Sequence, residues 1–468
     1  MFTTLLYKSP KYTLFFTILF MAILSTLYNA FLPLHGDEAY YWVWGQNLQM
    51  GYYDHPPMIA IFMYLSSFIS DSEWAVRMVN VFSFSITALY IFKITEKAVD
   101  EKTALNAVFI FFSVIMVHAG YIITTPDSPI NMFWAISMYY SYMAIFEGKW
   151  KDYIFAGLSI GCMMLSKYTA ILFIASVFIF LLIKRRDIFF NIKFYVTLLI
   201  SLLVVSPLLI WNYQNDWISF TFQLHHGSTD TFSINFGDFI GFILGQFLLF
   251  SPVFTWVLFY YMYKEKLSYT NDKIFFIVLT VFVTLSFFTY KGLFKSMGLN
   301  YAAPAYIGGG IYVSYILSKY KLSKTFKWGL IIALALTMLG RYLFLFHLDL
   351  VQDRMYQTDK TVERFMTFKH EGDALYGDHL TTAALITFYA PGHPKADVGV
   401  PSRFSQYDLW RGDEHLKNGI ILSQEKNLKS YLLTKYKDVK LIDTDIVVPH
   451  KRIFYTYRVT NPKKIEKK

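Results

Sequence analysis

Two adjacent carboxylates, Asp37 and Glu38, stand in the stretch His35-Gly36-Asp37-Glu38-Ala39-Tyr40-Tyr41-Trp42, directly after a long apolar run. Charges beside such a run cost free energy unless solvated or paired. Either they begin a helix, Asp37 as cap and Glu38 complementing the dipole, or one is a general base. Further on comes Gly51-Tyr52-Tyr53-Asp54-His55-Pro56-Pro57. Two prolines exclude helix just before them, so Asp54 and His55 sit on a rigid turn, either a plain interfacial turn or a substrate contact. In Thr125-Pro126-Asp127-Ser128, Asp127 either caps the next helix or adds a second acidic group to a site. Lys167, flanked by Ser166 and Tyr168, alone interrupts the apolar stretch 153–183. It is either a snorkelling anchor or a functional cation.

Membrane-crossing helices are expected to carry these residues. With 55% hydrophobic and 20% aromatic residues in 468, the chain is too apolar for a soluble protein of its size. Crossing a hydrocarbon core of ~30 Å takes roughly 20 apolar residues in a helix, which leaves no backbone donor unpaired. Spans are expected near 12–33, 74–92, 104–124, 129–146, 153–166, 168–183, 194–212, 239–263, 274–290, 297–318 and 328–347, about eleven in all. The stretch 153–183 is read as two short helices meeting at Lys167, because a single span would reverse every later loop.

Basic residues set the orientation, since they are retained on the cytoplasmic side. One set of loops, from Lys8 and Lys11 to Lys324 and Lys327, carries eighteen, and the other only Arg77, Lys167, Lys291 and Lys295. The amino terminus is therefore expected inside, with the C-terminal part and the four candidate sites outside. The net charge of +10 is absorbed by orientation and anionic headgroups, and nucleic acid is not an expected partner. The single cysteine, Cys162, permits neither an intramolecular disulfide nor a thiolate cluster. No His-x-x-x-His element occurs, and metal independence is expected.

Two domains are expected: a membrane domain, 1–347, with a structured first outer loop, 34–73, and a C-terminal extracytoplasmic α/β domain, 348–468. The loop holds helix-compatible patterns at Asp37–Leu48 and Pro57–Phe68 that would suit interfacial helices. In the C-terminal part, β-like runs at 419–422, 439–442 and 453–459 alternate with helix-like 381–389 and 428–435.

The two stretches from His35 to Trp42 and from Gly51 to Pro57, with Thr125-Pro126-Asp127, Leu165-Ser166-Lys167-Tyr168-Thr169 and Asn300-Tyr301-Ala302-Ala303-Pro304, resemble the glycosyltransferases of families 39 and 83. These are relatives of protein O-mannosyltransferases and of the aminoarabinose transferase acting on lipid A. Tyr301 and Ala302 depart from the usual Asn-Trp-Pro, and Asp54-His55 stands where aminoarabinose-type members carry Glu-Lys. The resemblance implies a GT-C fold and a polyprenyl-phosphate sugar donor, with transfer outside the membrane and inversion at the anomeric carbon. Asp37 matches the catalytic carboxylate and Asp127 a second acidic position near the acceptor, with Glu38 beside them. Asp54, His55, Lys167 and Tyr168 are the expected substrate contacts, Lys167 toward the donor phosphate. No cofactor is expected. A monomer in the bacterial inner membrane is, with lipid A or lipopolysaccharide favoured as acceptor. A protein O-mannosyltransferase is the alternative. A transporter or flippase of lipid-linked sugar is a third reading, against which stand the lack of inverted repeats and of midplane helix breaks.

Overall fold

The computed structural model describes residues 8–227, 234–346, 354–400, 402–411, 416–448 and 452–463. The expected domain boundary at 347/348 lies outside the described residues. Contacts divide the chain into two units, one of Met1–Tyr28, His55–Ile59 and Arg77–Gly340, the other of Asn29–Asp54, Ala60–Val76 and Arg341–Lys468. Most of the first outer loop therefore packs with C-terminal residues.

Among the described residues five helices have the length and apolarity of a membrane span: Pro10–Asn29, Glu73–Ala98, Ile192–Gln214, Asp272–Gly292 and Ser323–Leu345. Two broken pairs raise the number to seven if each is one span. Glu101–Ser113 and Ile115–Ile122 meet at 59°, across Val114 in extended conformation. Phe236–Leu249 and Pro252–Lys264 meet at 106°, so the apolar stretch 239–263 is not one straight rod. Ser251 has φ 73 there and Pro252 opens the second helix. Proline has no N–H to donate and suits a first helical position, which explains the break.

The remaining expected spans are shorter or more polar helices. Asp127–Phe146 buries Asn131, Ser137 and Ser141; a helix covered by protein need not be apolar all round. Trp150–Met164 has 15 residues and Ile171–Lys184 has 14, roughly 22 Å each at 1.5 Å per residue. Between them the chain passes through extended Lys167 (φ −160, ψ 142) and a single 3₁₀ turn, Tyr168–Ala170. The first of these helices lies against Ile192–Gln214 through Gly157 and Gly161. A Cβ on Gly157 would come within 2.8 Å of the Thr197 carbonyl, and one on Gly161 within 2.6 Å of the Val204 Cβ. Thr197 and Ser201 donate across to the Tyr153 and Gly157 carbonyls at 2.9 and 3.0 Å, the close small-residue packing of membrane helices.

Among its described residues the second unit contains a five-stranded sheet. β1 (Ala374–Gly377), β2 (Ala396–Val398), β3 (Gly419–Ser423), β4 (Tyr436–Val447) and β5 (Arg452–Pro462) lie in the order β2-β1-β3-β5-β4. β1 is parallel to β2 and β3, whereas β5 runs antiparallel to β3 and β4. All five residues of β3 are buried, as expected of a strand with parallel pairing and cover on both faces. The helix Gly36–Gln46 was expected in the membrane interface; in the structure it is buried along nearly its whole length. It packs on the helix Leu380–Tyr389, where Leu34 donates its N–H to the Tyr389 hydroxyl at 2.7 Å and Trp42 meets Phe388 edge-on. Its aromatic face covers protein, not lipid.

Candidate active site

The two carboxylates at the start of Gly36–Gln46 are held differently. His35 is the N-cap, its Nδ1 accepting from the Asp37 N–H at 3.2 Å, and Glu38 Oε2 accepts from the His35 N–H at 2.9 Å. This reciprocal pair is a capping box. Glu38 is fully buried in it, whereas the Asp37 side chain remains 47% exposed with its carboxylate 3.5 Å from His35 Nδ1. Glu38 thus serves the helix end, and Asp37 is presented outward on a backbone that the cap immobilises.

Asp54 is buried and paired. It accepts the Tyr40 hydroxyl proton at 2.8 Å and lies 2.7 Å from an Arg403 guanidinium nitrogen. The Tyr40 oxygen in turn accepts the Gln406 N–H at 3.0 Å, and Gln406 Oε1 accepts the Tyr53 N–H at 2.9 Å. Burial pushes the Asp54 carboxyl above the ordinary carboxylate range; the Arg403 charge and the Tyr40 hydrogen bond oppose this, and nearby Asp37 adds to it. Neither Arg403 nor Gln406 carries a motif, so nothing local in the sequence points to them.

In the first unit His55 opens the Pro56-Pro57 turn, and Met58 N–H donates to the Leu165 carbonyl at 3.0 Å. The turn is thereby tied to the residue two before Lys167. Lys167 Nζ lies 2.6 Å from Asp127 Oδ1 with both side chains largely buried. Asp127 Oδ2 accepts from the Asn300 amide at 2.6 Å, and the Tyr301 ring centroid is 4.9 Å from the ammonium. Asp127 is itself placed by its helix: Asn131 caps back onto its carbonyl at 2.7 Å, and Ser128 bonds Asn80 at 2.5 Å. Tyr168 exchanges a hydrogen bond with Ser219 at 2.7 Å. The sequence reading pairs Lys167 with a substrate anion; the structure supplies an internal one, Asp127, and adds Asn300 on the same carboxylate. A buried charge is tolerated only when so paired. Among the described residues no group of three or more His, Cys, Asp or Glu stands where it could hold a metal ion.

Residues 54–211 match the family described as dolichyl-phosphate-mannose-protein mannosyltransferase. The lipid A galacturonosyltransferase RgtD of Rhizobium johnstonii is 24% identical over 323 residues, which are 67% of this chain and 65% of that protein. The chain thus spans about two thirds of that relative's length. Among solved structures, ArnT from Cupriavidus metallidurans in the apo state aligns with a TM-score of 0.68 at 11% identity, over 96% of this chain and 98% of that one. ArnT bound to undecaprenyl phosphate aligns with the same score and identity over 94% and 97%. The fold is therefore that of ArnT. His55, Asp127, Lys167 and Tyr168 all lie in the segment that matches the mannosyltransferase family.

Proposed function

We propose that this protein is a membrane glycosyltransferase that moves a sugar from a polyprenyl-phosphate donor to an envelope acceptor, lipid A or another part of lipopolysaccharide being favoured. It would work in about eleven passes through the bacterial inner membrane, amino terminus in the cytoplasm, with transfer on the periplasmic side. The observation that carries the reading is the match of residues 54–211 to the mannosyltransferase family, because that segment holds the buried cation Lys167. The names of RgtD and ArnT favour a lipid A acceptor and an undecaprenyl phosphate carrier.

In the proposed step the acceptor oxygen attacks the anomeric carbon as the bond from that carbon to the donor phosphate oxygen breaks, giving inversion. The acceptor proton goes to Asp37, whose half-exposed carboxylate is available. The bonding electrons leave with the polyprenyl phosphate, whose charge Lys167 stabilises. Asp127 acts through Lys167 and Asn300, since both of its carboxylate oxygens are engaged. His55 and Tyr168 contact substrate, and Asp54, whose two oxygens meet Arg403 and Tyr40, orders the substrate-binding turn that bears His55.

Mass spectrometry of envelope lipids from a deletion strain tests the reading. Loss of one sugar mass from lipid A or core, restored by the gene and not by an Asp37→Asn copy, is expected. An unchanged lipid profile together with loss of a glycan from envelope proteins would transfer the assignment to protein glycosylation, the acceptor in the matched family's description.

A further inference from the structure

Within the second unit, one basic residue of the C-terminal part meets a candidate substrate group of the first outer loop. Arg403 follows β2, and its guanidinium sits 2.7 Å from Asp54 Oδ1. The Asp54 side chain is 7% exposed and that of Arg403 is 44% exposed, so the carboxylate is sealed while the cation is partly open. The contact is one of several between the same two segments. Gln406, three residues on, donates its N–H to Tyr40 and accepts from Tyr53, and its amide also reaches Gln49 at 3.2 Å. Tyr40 stacks on Tyr407 with ring centroids 5.8 Å apart. Arg403 and the start of the helix Gln406–Arg411 therefore grip both the residue before His55 and the phenol that bonds it.

A carboxylate this buried stays ionised only with a cation and hydrogen-bond donors against it. Asp54 has a guanidinium and a phenol. Among the described residues the other titratable groups coupled to it are Asp37, Tyr53 and His379. Asp37 opposes a second negative charge, and none of the others brings a fixed positive one. Arg403 is the permanent cation of this set.

We propose that Arg403 is a positioning residue for the transferase site: acting through Asp54, it holds that carboxylate charged and hydrogen-bonded to the neutral Tyr40 hydroxyl, so that the C-terminal α/β part completes the substrate-binding turn of the outer loop. This rests on the reading of Asp54 as part of the substrate-binding turn, while the charge relation between Arg403 and Asp54 stands on the geometry alone.

The experiment uses the full chain purified in detergent, as unaltered protein and as Arg403→Gln, Arg403→Lys and Tyr40→Phe. Dicyclohexylcarbodiimide, which modifies protonated carboxyl groups, is applied across a pH series, and labelling at Asp54 is read by peptide mass spectrometry. Arg403→Gln should move the labelling midpoint up by more than one pH unit, Arg403→Lys by less, and Tyr40→Phe by a fraction of a unit, with Asp37 labelling as the internal control. In parallel, the acid limb of the pH profile of transfer from an undecaprenyl-phosphate sugar should rise by the same amount in Arg403→Gln, so that alkaline buffer restores kcat/KM. A purely structural loss would lower transfer at every pH. Equal midpoints in the variants that fold would overturn the proposal, as would a shifted midpoint with an unmoved acid limb. No transfer by the unaltered protein would sink the transferase reading instead, and the labelling midpoints would still decide for or against Arg403.

Discussion

Asp37 and Glu38 are neighbours with opposite fates. The capping box consumes Glu38 and leaves Asp37 exposed. Asp37→Asn should therefore reduce transfer by 10² or more with unchanged membrane insertion, since losing a general base typically costs that much. A variant retaining a tenth of the turnover in purified form would assign the base elsewhere. Glu38→Gln keeps an acceptor for the His35 N–H and should be mild in rate, whereas Glu38→Ala should cost about 1 kcal/mol of stability. Lys167 calls for a two-part test, because its partner is internal. Lys167→Ala strands the Asp127 carboxylate and should destabilise by roughly 3–5 kcal/mol, the usual penalty for breaking a buried pair. Lys167→Met with Asp127→Leu should recover most of the melting temperature. It should still show a raised donor KM and lowered kcat, because leaving-group charge grows in the transition state. Normal donor kinetics in that double variant would make the pair structural only.

At the scale of elements, the outward aim of Asp37 depends on how closely Gly36–Gln46 approaches Leu380–Tyr389. A Cβ on Gly36 would stand 2.5 Å from the Thr381 Cβ, a separation that forces one helix start to move. Gly36→Ala should lose roughly 1–3 kcal/mol of stability, in the range of overpacked cores, and lose transfer as well. Thr381→Gly in the same chain should return much of both, measured as a double-mutant cycle on melting temperature and on rate. Additive losses would show that the two helices do not constrain each other. Gly161→Leu, directed at Val204 and the Ser201 carbonyl, should lower the melting temperature by separating Trp150–Met164 from Ile192–Gln214. It should also loosen the turn that carries Lys167.

For the whole molecule the proposal fixes a sidedness. A reporter active only in the periplasm, fused after Tyr356, should be active; activity of a cytoplasm-only reporter at that position would remove a span from the count and reverse the later loops. The 106° bend at Ser251-Pro252 is where such a reversal would originate, since a pair of helices folded back on itself does not change sides. Metal independence belongs to the same proposal. Transfer should persist in excess EDTA, and loss of rate restored by a divalent ion would introduce a metal into the mechanism.

That the chain is built of many membrane helices is written in its residues. Apolar runs of span length and asymmetric basic loops are local, one-dimensional signals, and so are the Pro56-Pro57 turn and the broken stretch around Lys167. The sequence also singled out Asp37, Asp54, Asp127 and Lys167, because a charge among apolar neighbours is conspicuous without coordinates. The tertiary structure alone decided their partners: Asp127 meets Lys167 across 40 residues and Asn300 across 173, separations over which no periodicity carries information. β1 and β2, with four and three residues, are too short for alternation to register, and pairing, of β1 with β3 and of β2 with β1, is what makes them strands. Arg403 shows the limit most plainly. A lone arginine in a turn-rich stretch looks like solvated surface until the fold brings it against a buried carboxylate.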